Sequence, residues 1–319
     1  MSQPGDIVYF EGDFVPSDRA RVPISTHAFN YGTGCFEGIR AYWSPRRQEL
    51  NVIRLREHAE RLLRSAKILH LEPPEQLDAA RVEAIILELL ARNDYHEDVY
   101  IRPILYKSGT TIKVTLAGID SDLCIFTQPF GDYLDIRKGL RVMISAWRRI
   151  DDNSIPSRAK PTGAYLNAAL ASDEARARGF DEAIMLTADG HVSEASSSNL
   201  FLVLDGVLVT PQATDDVLVG ITRDCVMELA RERGWPLEVR RVDRSELLSA
   251  DEAFLSGTGV QIAPVTMVDG RIVGDGEMGP ITRELQQAYL EVVRAEVHDR
   301  PEWRTPVGVP EAAAPAGRS

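Results

Sequence analysis

Apolar residues recur at helical spacing in two stretches of the first half of the chain. They repeat every three or four positions over residues 55–69 and again over residues 77–92, a period typical of amphipathic helices that cover a core. Pro73 and Pro74 separate the two stretches. Shorter runs of alternating or consecutive apolar residues predict strands, and these runs cover residues 7–14, 98–107 and 123–127.

The second half is richer in short strand-like runs, which are separated by turns that contain glycine. Asp189-Gly190 and Asp205-Gly206 divide residues 181–210 into a series of predicted hairpins. Further strands are predicted over residues 140–147, 237–242 and 252–255. Apolar residues at helical spacing predict three helices, over residues 164–179, 219–233 and 282–297.

A polar stretch marked by proline and glycine, residues 128–138, lies between the two halves and predicts a linker. We therefore expect a small α/β domain over residues 1–127 and a larger domain over residues 139–299. Residues 300–319 are rich in proline, alanine and glycine, which predicts a disordered tail. A junction between domains is a usual place for a small-molecule pocket.

The bulk composition excludes several classes of function. The formal net charge of -12 over 319 residues argues against nucleic acid as the main partner. The three cysteines, Cys35, Cys124 and Cys225, are widely spaced and form no Cys-x-x-Cys or Cys/His metal pattern, so reduced thiols are expected. Neither a signal-like N-terminus nor an apolar run of membrane length is present. These features predict a cytoplasmic protein that does not bind membranes or metals.

Lys160 stands between the predicted strand over residues 140–147 and the alanine-rich helix that follows Gly163. Because Pro161 prevents an early helix start, Lys160 belongs to a strand-to-helix connection, where functional sites are commonly built. By itself this motif is weak, since most lysines are solvated surface groups.

Three other features of the second half could serve an anionic ligand. Glu194 is an isolated carboxylate where a strand gives way to the serine-rich loop 195–198. Residues 220–222 open a helix whose N-terminus offers backbone N–H groups, and residues 256–259 form a small-residue turn of the kind that binds anions. Each feature also has a structural explanation, as a surface carboxylate, a threonine cap or a simple turn.

In the first half, Tyr100 and Arg102 lie two positions apart on a predicted strand and therefore share one face. This pair suits carboxylate recognition, because a guanidinium offers a planar fork of donors; a salt bridge between strands is the alternative. Arg61 lies off the apolar stripe of its helix, as a solvated arginine would. Tyr31 and Phe36 belong to a stretch dense in glycine and aromatic residues, which predicts either a pocket wall or a buried strand with its turn.

Together, these candidates are the set that pyridoxal 5′-phosphate (PLP) requires. A lysine amine available in its neutral form attaches to the cofactor aldehyde. A carboxylate faces the pyridine nitrogen and keeps it protonated, so that the ring can accept electrons from a substrate carbanion. Backbone N–H groups, hydroxyls and an arginine hold the phosphate.

The sequence resembles the class IV (fold-type IV) PLP-dependent aminotransferases, and within them the branched-chain amino-acid aminotransferases of bacteria. The matching motifs occur in the family's order and span nearly the whole chain except the tail. They are Tyr31-Gly-Thr-Gly-Cys-Phe-Glu-Gly-Ile-Arg40, Arg56-Glu-His-Ala-Glu-Arg-Leu62, Tyr100-Ile-Arg-Pro103, Ile155-Pro-Ser-Arg-Ala-Lys160 with Tyr165-Leu166, Ser193-Glu194 ahead of Asn199-Leu-Phe201, Gly220-Ile-Thr-Arg-Asp224, Glu252-Ala-Phe-Leu-Ser-Gly-Thr258 and Gly279-Pro-Ile-Thr282.

The resemblance implies a role for each candidate. Lys160 would be the catalytic lysine that binds the cofactor and moves the substrate proton, Tyr165 would contact the ring hydroxyl, and Glu194 would pair with the ring nitrogen. The phosphate would be held by Arg61, Ser198, Ile221, Thr222 and Thr258. Substrate carboxylates would be bound by Tyr100, Arg102 and the backbone at Gly259. The side-chain pocket would be shaped by Tyr31, Phe36 and Tyr133.

The resemblance also implies a fold and a reaction. The fold would be a two-domain α/β (α+β) arrangement, with a small N-terminal α/β domain and a larger C-terminal, β-barrel-like domain with helices. The reaction would be transamination of branched-chain L-amino acids (leucine, isoleucine, valine) with 2-oxoglutarate, giving branched 2-oxo acids and glutamate. A homodimer or a higher homo-oligomer is implied, in which Tyr31 and Arg102 could reach the neighbouring site.

Departures from the family pattern leave the substrate range open. Lys113, Phe130 and the stretch Gly259-Val260-Gln261 differ from the residues familiar there. A D-amino-acid aminotransferase, a broad-range amine transaminase and an aminodeoxychorismate lyase of the same fold are alternatives. Two hypotheses belong to other functional classes: a cofactor-free serine amidase using residues 196–198, and a non-catalytic binding protein with the PLP-enzyme fold.

Overall fold

The computed structural model describes residues 5–131, 138–296 and 300–308. The strands of its first half are β1 (Ile7–Phe10), β2 (Asp13–Pro16), β3 (Gly34–Phe36), β4 (Ile39–Ser44), β5 (Glu49–Ile53), β6 (Val99–Lys107) and β7 (Ser121–Pro129). They form one antiparallel sheet in the order β5-β4-β6-β7-β1-β2, with β3 beside β6.

The second half forms a mixed sheet of nine strands. They are β8 (Leu140–Arg148), β9 (Glu182–Leu186), β10 (Val192–Ala195), β11 (Asn199–Leu204), β12 (Val207–Pro211), β13 (Leu237–Arg240), β14 (Glu252–Gly257), β15 (Gln261–Val268) and β16 (Arg271–Ile272). Their order is β10-β9-β8-β15-β14-β11-β12-β13, with β16 beside β15. Strand β8 runs parallel to both of its neighbours, β9 and β15.

Helices cover both sheets. They are α1 (His27–Tyr31), α2 (Leu55–Ile68), α3 (Ala79–Asn93), α4 (Tyr165–Ala177), α5 (Ile221–Glu232), α6 (Arg244–Ser249) and α7 (Pro280–Val293). Single 3₁₀ turns occur at Ser17–Arg19, Thr162–Ala164 and Pro301–Trp303. Within the described ranges, no helix has both the length and the apolar character needed to cross a bilayer.

Each half has its own hydrophobic core. In the first, α2 and α3 pack their apolar stripes, with Leu62 and Ile86 among them, against the sheet. In the second, a cluster made mostly of strand residues includes Leu255. A further cluster, to which α5 and α7 contribute, also includes Tyr42 and Ile53 of the first half. The mixed α/β organisation with two sheets, expected from the sequence, is confirmed.

The closing helix begins two residues earlier than predicted, because its N-terminus is capped from another element. The buried carboxylate of Glu252 accepts hydrogen bonds from the backbone N–H groups of Ile281 and Thr282 and from Thr282 Oγ1. Gly279 leaves room for this cap, since a Cβ there would lie 2.1 Å from Glu252 Cδ. The residues Glu252 and Gly279–Thr282 within the matching motifs therefore serve helix capping.

Two expectations about domain ends need correction. Strand β7 continues to Pro129, so the first two residues of the predicted linker belong to the sheet. The predicted disordered tail is wrong for its first residues, since Arg304–Pro306 forms an eighth strand of the first sheet, β17, antiparallel to β5. Trp303 is buried in the cluster formed with α5 and α7. Burial of this large aromatic ring offsets the conformational entropy lost when the segment becomes ordered, a gain that the proline-, alanine- and glycine-rich composition does not reveal.

We expect replacement of Trp303 by alanine to lower the free energy of unfolding by about 3–5 kcal/mol, because the large ring leaves a cavity. Trp303 is 2% exposed, and its indole N–H donates to Glu228. Urea unfolding followed by circular dichroism measures the change. Trp147→Ala is the matched control, since Trp147 is 45% exposed and should change the value by under about 0.5 kcal/mol. Equal effects of the two variants would show that the C-terminal segment is not a structural element.

Candidate active site

A cavity of about 300 Å³ lies where residues of the two halves meet. Among the described residues, its lining includes four cationic side chains and only one carboxylate: Arg61, Arg102, Arg149 and Lys160 against Glu194. On a chain with a formal net charge of -12, this local excess of positive charge suits a ligand or substrate that carries anionic groups.

Lys160 is fixed in the cavity by elements of the first half. Its carbonyl oxygen accepts a hydrogen bond from the N–H of Phe36 at 3.1 Å, and its own N–H donates to Ser65 Oγ at 3.3 Å. The amine Nζ lies 5.2 Å from the ring centroid of Phe36 and 5.4 Å from that of Tyr165. No carboxylate of the described chain forms an ion pair with it. An amine flanked by aromatic rings and left without a counter-ion is suited to nucleophilic chemistry.

Two glycines allow the Lys160 loop to pack backbone to backbone against the end of α1. Gly32 adopts a left-handed conformation with φ of 65°, and a Cβ there would lie 2.8 Å from the Cα of Gly163. The N–H of Gly163 and the hydroxyl of Thr162 both donate to the Gly32 carbonyl, at 3.1 and 2.6 Å. The position of Lys160 therefore depends on both halves of the chain.

Glu194, at the end of β10, is buried at the floor of the cavity. Its Oε2 accepts hydrogen bonds from Asn199 Nδ2 at 2.8 Å and from the N–H of Leu218 at 3.3 Å. Burial raises the pKa of the Glu194 carboxyl above its ordinary value, and the nearby Arg149 guanidinium opposes that shift. A buried carboxylate held in this way is ready to receive a cationic partner from the cavity.

Arg149 is a site residue that sequence reasoning missed. Its Nη2 lies 2.7 Å from Glu194 Oε1, and its Nε donates to the carbonyl oxygen of Asp216 at 3.3 Å. Arg149 follows β8 directly, so the sheet positions it. The only sequence signal was a pair of adjacent arginines, of which Arg148 is exposed while Arg149 lines the cavity.

The N-terminus of α5 and the turn after β14 provide a site for an anion. Gly220 caps α5 without any side-chain acceptor, so the N–H groups of the first turn, at Ile221 and Thr222, point to a position where an anion is stabilised. Thr258 lines the same region. The hydroxyls of Ser198 and Ser256 are buried and have no hydrogen-bond partner among the described residues, which marks a missing acceptor or donor. The sequence placed Ser256 in the predicted anion-binding turn 256–259 but gave no role to its hydroxyl.

Arg61 reaches this region from helix α2. Its Nη1 donates to the carbonyl oxygen of Val219, one residue before the cap of α5, at 2.8 Å. The guanidinium also forms a two-pronged contact with the buried carboxylate of Glu37. Arg61 is therefore a buried arginine with a partner in each half, and not the solvated helix arginine that its position off the apolar stripe indicated.

Tyr100, Arg102 and Phe36 form the wall opposite the serine loop. Arg102 Nη2 donates to Tyr100 Oη at 2.7 Å, and its guanidinium carbon lies 4.2 Å from the Phe36 ring centroid. Gly38 makes room for the tyrosine, since a Cβ there would lie 2.3 Å from Tyr100 Oη. Arg102 Nε is buried and has no hydrogen-bond partner among the described residues. An arginine stacked on an aromatic ring with unused donors is suited to binding a carboxylate.

The remaining predicted site residues are placed differently. Gly259 lines the cavity, and so does Phe130, one of the departures from the family pattern. Tyr31 does not: it is 40% exposed on α1, and its hydroxyl donates to the carbonyl oxygen of Ile112. Within one chain the expectation that Tyr31 shapes the pocket is therefore not met. Tyr133 lies outside the described residues.

Comparisons with known proteins agree with this geometry. The family model described as "Amino-transferase class IV" matches residues 34–268. A probable branched-chain-amino-acid aminotransferase of Aquifex aeolicus is 44% identical over 303 residues, which is 95% of this chain and 97% of that protein.

Solved structures give the same result for the fold. The branched-chain aminotransferase of Thermoproteus uzoniensis with norvaline superposes with a TM-score of 0.90 at 42% identity, covering 97% of this chain and 100% of that one. The branched-chain amino acid aminotransferase of Thermobaculum terrenum in its PLP form gives 0.90 at 35% identity, covering 96% and 99%. The chain thus belongs to the class IV aminotransferase family.

Proposed function

We propose that this protein is a transaminase of branched-chain L-amino acids, with 2-oxoglutarate as the amino acceptor. The observation that carries the proposal is the Lys160 amine, which shares one cavity with the buried carboxylate of Glu194 and the guanidinium of Arg102. Relatives named as branched-chain aminotransferases cover nearly the full chain. One of them was solved with norvaline, an amino acid with an unbranched aliphatic side chain.

The cofactor is pyridoxal 5′-phosphate, and the described residues fit it. The partnerless buried hydroxyls of Ser198 and Ser256, the N-terminus of α5 and Arg61 supply donors for a phosphate. Glu194 is a buried acceptor for the ring nitrogen, and Tyr165 lies next to Lys160 for the ring hydroxyl. When bound, PLP supplies an electron sink for the carbanion formed at the substrate α-carbon.

The chain's own residues would then act as follows. Lys160 Nζ would take the α-proton of the substrate as a general base and later release it as a general acid. Glu194 would pair with the ring nitrogen, and the Arg149 guanidinium opposes the rise in the pKa of Glu194 that its burial causes. The ring of Phe36 covers the amine and excludes water.

One pocket must accept an aliphatic side chain and the γ-carboxylate of glutamate in turn. Arg102 over the Phe36 ring meets both demands, because the ring offers apolar surface and the guanidinium offers donors. Tyr100 stabilises this arrangement, because its hydroxyl accepts a hydrogen bond from Arg102 and its ring centroid lies 5.1 Å from that of Phe130. A substrate carboxylate would therefore bind at Arg102 and Tyr100.

A single-turnover assay with a panel of amino donors tests the proposal. The PLP-loaded protein is mixed with L-leucine, L-isoleucine, L-valine or D-alanine, and loss of the aldehyde-form absorbance is followed. With aminodeoxychorismate, formation of the cleavage products is followed instead, because a lyase leaves the cofactor in its aldehyde form. We expect the branched L-amino acids to react at least about 10-fold faster than D-alanine, the scale on which aliphatic pockets discriminate. Faster conversion of D-alanine or aminodeoxychorismate would replace this function by one of the alternatives, and it would point to Lys113 and Val260-Gln261 as the responsible departures.

We further propose that the protein is a homodimer whose interface includes an exposed apolar surface around α1. This surface, the α1 patch, is made continuous by the hydrogen bonds of Tyr31 to Ile112 and of Asn30 to Ile24. Exposed apolar side chains grouped in this way are typical of protein interfaces. The patch consists of Val22, Ile24, Phe29, Tyr31, Ile112 and Val114.

The double substitution Phe29→Asp with Ile112→Asp is expected to convert the dimer to monomers at micromolar concentration, because two buried carboxylates would be unpaired at the interface. Sedimentation velocity measures the change. Ile272→Asp is the control, since Ile272 is 63% exposed on β16, outside the patch. A double variant that remains dimeric would place the interface elsewhere.

The three cysteines are unpaired, in keeping with the cytoplasmic location that we expect.

A further inference from the structure

A fully buried carboxylate, that of Glu37, contacts Arg61, the arginine proposed to bind the cofactor phosphate. Glu37, in the turn between β3 and β4, is 0% exposed and does not line the cavity. Arg61 Nε donates to its Oε1 and Arg61 Nη2 to its Oε2, both at 2.7 Å. His58 Nδ1, one helical turn earlier on α2, lies 2.7 Å from the same Oε2. Two buried side chains of α2, His58 and Arg61, therefore share one carboxylate.

The protonation states in this cluster follow from burial and pairing. Burial alone would raise the pKa of Glu37, but the guanidinium of Arg61 and the hydrogen bond from His58 hold it well below its usual range. Burial lowers the pKa of His58 despite the adjacent carboxylate. Glu37 is therefore an anion, and a neutral His58 donates its Nδ1 proton to it.

Counting donors shows what the cluster leaves for a ligand. A guanidinium has five N–H donors. Glu37 uses one on Nε and one on Nη2, and the carbonyl oxygen of Val219 uses one on Nη1. Among the described residues, one N–H on each terminal nitrogen of Arg61 is left. Two donors on adjacent nitrogens are the pair that binds two oxygens of a phosphate at once.

If Arg61 contributed only positive charge, its pairing with Glu37 would weaken the binding of a phosphate. A carboxylate in contact with the guanidinium cancels much of its field at the phosphate. The same contact fixes the direction of a planar fork, which matters when an arginine binds two oxygens together. The fully buried Glu37 and the third hydrogen bond from His58 favour direction over charge, because a fork held on one edge by an immobile carboxylate can turn very little.

We propose that Glu37 and His58 are positioning residues for the cofactor phosphate: they hold the guanidinium of Arg61 so that its two remaining donors face the phosphate. The inference rests on the proposed placement of that phosphate at Arg61. Glu37 acts through Arg61 and touches neither cofactor nor substrate.

The isosteric substitution Glu37→Gln separates positioning from charge, because the two make opposite predictions. If Glu37 mainly weakens the field of Arg61, its neutralisation tightens binding of the phosphate. If Glu37 mainly orients the fork, binding weakens, since the glutamine amide turns a donor towards one of the Arg61 nitrogens. Comparison of PLP with pyridoxal, which lacks the phosphate, shows whether an effect is specific to that group.

The experiment titrates the cofactor-free chain with PLP and, separately, with pyridoxal, following the absorbance of the bound aldehyde and the rise in Tm. For Glu37→Gln we expect PLP affinity to fall about tenfold or more, the range seen when outer-shell partners are removed, and pyridoxal affinity to stay within about twofold. Unchanged or tighter PLP binding would overturn the proposal. So would an equal loss for both ligands, which indicates general damage to the site.

A second pair of variants covers the case in which Glu37→Gln does not fold. His58→Leu removes the donor to Glu37, and His58→Asn retains an N–H near the position of Nδ1. We expect selective loss of PLP affinity with leucine and recovery with asparagine; no difference between the two would contradict the role of His58. Arg61→Met tests the placement itself. If Arg61→Met binds PLP normally, the phosphate is not at Arg61; if it loses PLP while Glu37→Gln does not, only the positioning role fails.

Discussion

Replacement of Lys160 by alanine is expected to lower kcat for transamination about 10⁴-fold or more. Lys160 is the one lysine that lines the described cavity, and we propose that it both attaches to the cofactor and moves the α-proton, so its loss would remove both functions. The residues proposed to bind the phosphate remain, so the variant should still take up PLP. Cofactor uptake and turnover are therefore expected to separate.

Three measurements check this expectation. Turnover with L-leucine gives kcat, the visible absorbance of the variant reports bound PLP, and borohydride treatment followed by mass spectrometry shows covalent attachment. The wild-type chain should gain the mass of the reduced cofactor and Lys160→Ala should not. Lys67→Ala, on the exposed side of α2, is the control and should match the wild type in all three. A Lys160→Ala variant that keeps more than about a tenth of the activity would remove Lys160 from the chemistry.

The fold could be predicted where burial leaves a periodic trace in the sequence. Helix α2 buries one stripe and exposes the other, so its period is visible. Strand β4 has no exposed position and buries the charged Arg40 and the polar Ser44, so neither an alternating nor a continuously apolar pattern marks it in the sequence. Helix α6 is six residues long and depends on the capping box of Asp243 and Glu246. Strand β17 exists because it pairs with β5, near the other end of the chain.

The candidate site shows the same division. Lys160, Glu194 and Thr222 each lie within a short motif, and the cavity brings them together. Arg149 could not be selected from the sequence, because its significance comes from contacts with Glu194 and Asp216 that only the folded chain creates. Glu37 and His58 occur in matching motifs, but the contacts of Glu37 with His58 and Arg61 depend on the packing of α2 against the turn after β3. Sequence motifs thus indicated the groups that would touch the cofactor better than the groups that orient them.

Replacement of Glu194 by glutamine is expected to slow the half-reaction with L-leucine by about 10²–10³-fold, the loss seen when a preorganised electrostatic partner is removed. Glutamine keeps the shape and can still accept from Asn199 Nδ2, but it supplies no negative charge to the ring nitrogen, so the ring becomes a weaker electron sink. The rate is measured in single turnovers at saturating PLP, which separates the chemical step from cofactor binding. Glu194→Gln also leaves Arg149 without its anionic partner, and weaker PLP binding is expected for that reason.

Glu182→Gln is the matched control for this prediction. Glu182 is also a buried glutamate whose pKa is raised by burial, and it lies on the neighbouring strand β9, yet it does not line the cavity. If buried negative charge in this sheet matters only for stability, the two variants should lose activity to a similar, small extent. If Glu194 serves the ring nitrogen, Glu182→Gln should stay within about threefold of the wild-type rate while Glu194→Gln falls by about two orders of magnitude or more. A Glu194→Gln variant as fast as Glu182→Gln would show that the electron sink does not depend on this carboxylate, and the assignment of Glu194 would have to be abandoned.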